Sequence, residues 1–211
     1  MRISKEYDVR RNEILEKAAR LFELNGYNKT TINDILREVN IAKGTFYYYF
    51  KSKEEVMDAI VDRYLEVGLE KAEVVKARKD LSPTEKLLQV ILAIRMEGPE
   101  SGVIDELHNP ENTLMHQKSF SGIVLGLTPI MTDIVKEGIA AGDFTTPFPT
   151  QTIQIMLAAS MTLTDEGIFS FTQEEQYILM QVIVHSFETL LGAEKGSFEY
   201  GLHALTERIG S

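Results

Sequence analysis

Apolar residues recur at intervals of three and four along nearly the whole chain, and no stretch alternates apolar and polar positions long enough to define a strand. The pattern predicts an all-α protein of about nine or ten helices. Over about 9–24, Ile14, Ala18, Leu21 and Phe22 form one stripe, Arg11, Glu13, Lys17 and Arg20 lie largely outside it, and Asn25-Gly26 ends the helix. Thr30-Thr31 then offers a hydroxyl cap, with Asp34 in the capping-box position three residues after Thr31. This starts a short helix at about 31–38, whose apolar face is Ile32, Ile35, Leu36 and Val39. Asn40 tolerates the left-handed conformation and turns the chain into a second short helix at about 42–49.

Lys51-Ser52-Lys53 opens a long charged helix extending to about 78, striped by Val56, Ile60 and Tyr64. Ser82-Pro83-Thr84-Glu85 combines a hydroxyl cap, a proline at the first helical position and a capping glutamate, and predicts a helix ending at Gly98-Pro99. Further segments are expected at about 101–108 and 110–141, the second kinked or divided at Pro129 and closed by Gly142. Helices at about 150–168, from the Thr172–Glu175 capping box to Gly192, and at about 197–208 complete the chain. The main boundary falls near residue 52, giving domains 1–52 and 53–211: three short helices, then a set of longer ones.

Composition narrows the reading. The 211 residues, 44% hydrophobic and 26% charged, suit one globular domain or two unequal ones. No cysteine is present, which removes thiolate nucleophiles, zinc-thiolate sites and disulfides and fits a reducing, cytoplasmic compartment. No apolar leader or membrane-length apolar run is found. The net charge of −10 is unevenly placed: residues 1–55 hold 11 Lys/Arg against 9 Asp/Glu, and the remainder hold 11 against 23. With a Debye length of about 8 Å at physiological salt, a locally positive face can meet DNA while the acidic bulk stands further off.

Two short helices joined by a tight turn form the geometry of a helix-turn-helix, whose second helix enters the major groove. At 3.6 residues per turn, Ala42, Phe46 and Phe50 share an inward face, and Lys43, Thr45, Tyr47 and Tyr48 fall largely off it. Tyr49 is divided, with its ring inward and its hydroxyl outward. Gly44 costs helix propensity, about 1 kcal/mol relative to alanine, which points to close approach by a phosphate or base edge.

Gly26-Tyr27, Thr30-Thr31, the run Gly44-Thr45-Phe46-Tyr47-Tyr48-Tyr49-Phe50 and Lys51-Ser52-Lys53-Glu54 together resemble the TetR family of transcriptional regulators over residues 9–60. The resemblance implies that Thr31 caps the first motif helix and touches phosphate, and that Asn33 reaches phosphate or a base edge. It makes Lys43, Thr45 and Tyr47 base readers, gives Tyr48, Tyr49 and Lys53 backbone contacts, and leaves Lys51 a weaker phosphate candidate. Two departures stand out: Asn40 where the family commonly has glycine, and Leu36 and Val39 where it has small residues. They predict motif helices set slightly further apart.

Beyond the motif, the apolar faces Ile153 to Met161 and Tyr177 to Leu191 exceed what one side needs, and suggest a four-helix bundle with a second copy. Helices over about 83–141 would enclose an effector pocket, with Met96, Leu114, Met115, Phe120, Leu125 and Met131 as candidate lining; core packing accounts for the same residues equally well. The family implies a ligand that moves the long helix beginning at Lys53 and changes the spacing of the two recognition helices. Asp105, Glu106, His108, Glu111 and His116 match no zinc spacing and read as a solvated acidic loop, so no metal site is assigned. No nucleotide, hydrolase or metalloprotease motif occurs, so neither enzyme activity nor a cofactor is expected. The resulting expectation is a homodimeric repressor that binds a palindromic double-stranded operator and is released by a small apolar or amphipathic molecule. The alternative is a DNA-binding dimer gated by a protein partner.

Overall fold

The structure, a computed structural model, describes residues 2–93 and 112–199. Among them it is all-helical: α1 (Arg2–Asn25), α2 (Ile32–Val39), α3 (Lys43–Tyr49), α4 (Lys53–Ala77), α5 (Pro83–Ala93), α6 (Thr113–Ala141), α7 (Pro149–Leu163) and α8 (Gln173–Leu191). The expected helix at 101–108 lies outside the described residues, as do Met96 and most of the expected 197–208 helix. The eight described helices form two units, one from the described residues of Met1–Glu66 and Met96–Ser119, the other from those of Val67–Arg95 and Phe120–Ser211.

The first unit is organised around aromatic and branched side chains. Ile14, Ala18 and Phe22 of α1 meet Ile35 and Val39 of α2, Phe46 and Phe50 at α3, and Val56, Met57 and Ile60 of α4, all buried. Capping fixes where α2 begins and ends. Thr31 and Asp34 form the reciprocal box at the start of α2, and Asn40 ends it in the left-handed region at φ 57°. The Ile41 N–H reaches back to Leu36 O at 3.0 Å, closing the last turn of α2 while Ile41 packs on the core. Asparagine therefore supplies the turn for which the family commonly uses glycine.

In the second unit α6 supplies Leu127, Ile130, Met131, Ile134 and Val135, packed with Ile153, Met156 and Leu157 of α7 and Val184, Phe187 and Leu191 of α8. Of the two outcomes expected at Pro129, a kink or a division, the division does not occur: α6 runs through it as one helix. Proline removes its own N–H and orphans the carbonyl four residues back, and here Pro129 and Leu125 are both exposed, so water can take over that carbonyl. The α7 helix stops at Leu163, short of the expected 168, because Asp165 Oδ1 accepts the Gly167 and Ile168 amides at 2.8 and 3.1 Å and folds the chain into a turn. Lys86 of α5, fully buried, places its ammonium 2.7 and 2.8 Å from the two oxygens of Glu137 on α6. The loop before α7 closes over the end of α8, where the Thr145 and Thr146 amides both donate to Leu191 O.

One contact in this unit gives a direct test. A methyl group on Gly138 would overlap the Phe144 ring and press on Pro83, both held by the surrounding core. Gly138→Ala should therefore destabilise by about 1–3 kcal/mol in urea unfolding, although alanine is the better helix former by about 1 kcal/mol.

Candidate nucleic-acid interface and cavity

The surface formed by α2 and α3 follows from what α3 buries. Its seven residues are too few to hold a helix unaided. Phe46 anchors it in the core, Phe50 closes it through a Phe50 N–H to Phe46 O bond of 2.9 Å, and Arg11 of α1 stacks over the Phe50 ring. With those two rings inside, Lys43, Gly44, Thr45, Tyr47 and Tyr48 all lie on the exposed face, Tyr47 at 45% and Tyr48 at 70% exposure. Tyr49 is half-buried, its ring edge-to-face with Tyr48 and tilted against Tyr7 of α1. A methyl group at Gly44 would meet nothing within 4 Å, so no internal contact demands glycine there.

Thr31 and Asn33 are exposed beside this face, at the start of α2. Thr31 Oγ1 donates to Asp34 Oδ2 at 2.6 Å and accepts the Asp34 amide at 3.2 Å. Lys53 differs from its neighbours: its Nζ donates to Tyr27 O at 2.7 Å and Thr30 O at 3.0 Å, turned into the protein. The structure thus gathers Thr31, Asn33, Lys43, Gly44, Thr45, Tyr47 and Tyr48 on accessible surface, and commits Lys53 to the chain itself. Nothing in the sequence pattern distinguished Lys53 from an outward cation.

The segment 14–60 matches the family described as bacterial regulatory proteins, tetR family, and 99–188 matches the tetracyclin repressor-like C-terminal domain. The chain belongs to the TetR family of DNA-binding transcriptional regulators. It is 21% identical over 182 residues to the fatty acid metabolism regulator protein of Bacillus subtilis, covering 85% of this chain and 92% of that one. The HTH-type transcriptional repressor KstR2 of Mycobacterium tuberculosis is 37% identical over 65 residues, 31% of this chain and 32% of its own length. A solved transcriptional regulator of the TetR/AcrR family from Thermobifida fusca superposes with a TM-score of 0.58 at 25% identity, over 88% of this chain and 98% of that one.

The TetR-type C-terminal unit contains a cavity of about 350 Å³ among α5, α6, α7 and α8. Met131, Met156, Ile183 and Phe187 line it, with Phe169 and Phe171 from the α7–α8 loop. Of the residues expected there, Met131 is present. Leu125 is 71% exposed, Met115 packs in the N-terminal core, and neither it nor the half-buried Phe120 lines the cavity. The lining from α7 and α8 was missed because the sequence pattern assigned their apolar faces to a bundle with a second copy. Methionines on both helices, Met156 and Met180, were the available signal. Of the acidic-histidine cluster only His116 is described, and the described residues hold no group of three metal-ligating side chains.

The Asp34 carboxyl sits below the ordinary carboxylate range, held there first by the Thr31 hydroxyl, next by the Thr31 backbone N–H and more weakly by the Arg37 charge. A lowered folded-state value means the box stabilises α2 fully above the ordinary carboxylate range, and is lost as pH falls through the folded value. An NMR titration should place the Asp34 midpoint below 3.8, and Thr31→Val should raise it toward that value.

Proposed function

We propose that this TetR-family chain is a homodimeric repressor, with a DNA-binding domain at residues 1–52, an effector and dimerisation domain at 53–211, and no catalytic role. The observation that carries the DNA reading is the outward face of α3, where a lysine, a glycine, a threonine and two tyrosines share exposed surface while Phe46 and Phe50 are buried. On this reading Lys43, Thr45 and Tyr47 meet base edges in the major groove, which separates all four base pairs by their donor and acceptor patterns. Gly44 lets the backbone approach the duplex, and Thr31, Asn33, Tyr48 and Tyr49 hold phosphates.

One recognition helix contacts too few base pairs to be selective, so two copies on a palindromic site are required. The exposed apolar side chains Ile155 on α7 and Tyr177, Ile178 and Val182 on α8, with Ala158 and Ala159 beside them, supply a face for that second copy. The cavity takes a small apolar or amphipathic molecule. At about 350 Å³ it falls within the range of ligand sites, and its lining is dominated by aliphatic, methionine and phenylalanine side chains. A relative named as a regulator of fatty acid metabolism is in keeping with such a ligand. Release follows if the ligand prefers the conformation that does not bind DNA.

Three measurements test this reading. Tyr47→Ala, an exposed change, should leave the helical circular dichroism intact and lower affinity for a duplex enriched by the wild-type protein by roughly five- to 150-fold, about 1–3 kcal/mol for a lost base contact. Val182→Glu should convert the dimer to monomer in sedimentation equilibrium. Decanol should raise the melting temperature of wild type, about 2.7 kcal/mol being gained at one hundred times its dissociation constant, and Met156→Trp, which fills the cavity, should remove the shift.

A further inference from the structure

A single side chain ties the start of α4 to the turn that delivers α2. Lys53 Nζ donates to Tyr27 O at 2.7 Å and to Thr30 O at 3.0 Å, and lies 4.1 Å from the centroid of the Tyr27 ring. Two carbonyls and a ring face match an ammonium with three hydrogens. Burial, then the charge of Glu54, push the Tyr27 phenol above its ordinary value, so the ring beneath the cation is neutral across the working pH range.

The turn that receives this ammonium is itself organised. Thr30 is 1% exposed; its one hydroxyl hydrogen is shared between Gly26 O at 2.9 Å and Leu21 O at 3.2 Å, and its amide between Gly26 O and Tyr27 O. Thr31, the cap of α2, is the next residue. A phosphate that drew the ammonium outward would remove a charged donor from the carbonyl of the buried Thr30, which is costly in an interior of low dielectric. Lys43 and Lys51, by contrast, are exposed.

We propose that Lys53 is a positioning residue for DNA reading: it fastens the α4 N-terminus to the α1–α2 turn and so sets where α2, and α3 behind it, are presented, instead of neutralising phosphate. The proposal rests on the DNA reading of α3 given above. It also gives the start of α4 a mechanical role, because a displacement of that end is passed to the cap of α2 through a charge-assisted contact in addition to the buried packing of Val56 and Met57.

The test compares wild type, Lys53→Met and Lys53→Arg on a duplex that the wild-type protein enriches from a randomised pool, over a series of salt concentrations, with circular dichroism confirming the fold of each. Lys53→Met keeps the aliphatic stem and should lose roughly tenfold in affinity, the scale of one charge-assisted hydrogen bond, with the slope of log K against log salt unchanged. Lys53→Arg should fail to restore binding, because a planar guanidinium does not fit two carbonyls and a ring face in this geometry, whereas a phosphate contact accepts arginine readily. A slope reduced by about one, or wild-type affinity in Lys53→Arg, would make Lys53 a phosphate ligand and overturn the proposal. Unchanged affinity in Lys53→Met would overturn it too.

Hydrogen exchange of the DNA-free protein judges the clamp separately. Amides 26–31 should exchange faster in Lys53→Met while those of α6 to α8 keep their protection, and unaltered protection at 26–31 rejects the clamp. If wild type enriches no duplex, the DNA reading of α3 fails on its own, and the exchange result still decides whether Lys53 holds the turn.

Discussion

Burial of Phe46 and Phe50 is the constraint on which the N-terminal unit depends. A seven-residue helix has almost no stability of its own, so α3 exists because its two phenylalanines fill the space among Ile14, Phe22, Ile35, Val39 and Val56. The same burial decides orientation. Once the two rings point inward, the residues off their stripe face out, and Lys43, Thr45, Tyr47 and Tyr48 become available surface. The stability of α3 and the composition of its outward face are therefore set by one event.

The edges of this unit are settled by polar contacts of a different kind. The Thr31–Asp34 box starts α2, Asn40 ends it in the left-handed region, and Lys53 closes the preceding turn from the side of α4. Each satisfies backbone groups that packing alone would leave without partners. Together they fix where α2 begins and ends and tie the start of α4 to the turn before it, beside the orientation that burial of Phe46 and Phe50 gives α3.

In the C-terminal unit the balance differs. The α6 helix supplies the core and continues past Pro129 because the missing hydrogen bond falls on its solvent side. The α7 and α8 helices each present two apolar faces: Met156, Ile183 and Phe187 toward the cavity, and Ile155, Ile178 and Val182 outward. The side chains that line the cavity are thus distinct from those of the outward apolar face, so the guest and the second copy proposed above would not compete for them.

Much of the fold was legible in the chain. Period, caps and breakers gave the all-helical class, α2 and α3 within a residue or two, the Asn40 turn, and the split of α3 into buried phenylalanines and outward lysine, threonine and tyrosines, because these depend on contacts a few residues apart; Ala42, expected inward with the phenylalanines, is exposed at the start of α3. What depends on distant residues was not legible. Leu125 and Met115 looked like cavity residues and are exposed and core respectively, since only packing decides which apolar face of a helix meets a void. Lys53 looked like a surface cation beside a helix start. Its ammonium is placed by two carbonyls 23 and 26 residues earlier in the chain, a relation that exists only once α1 and α4 have packed together.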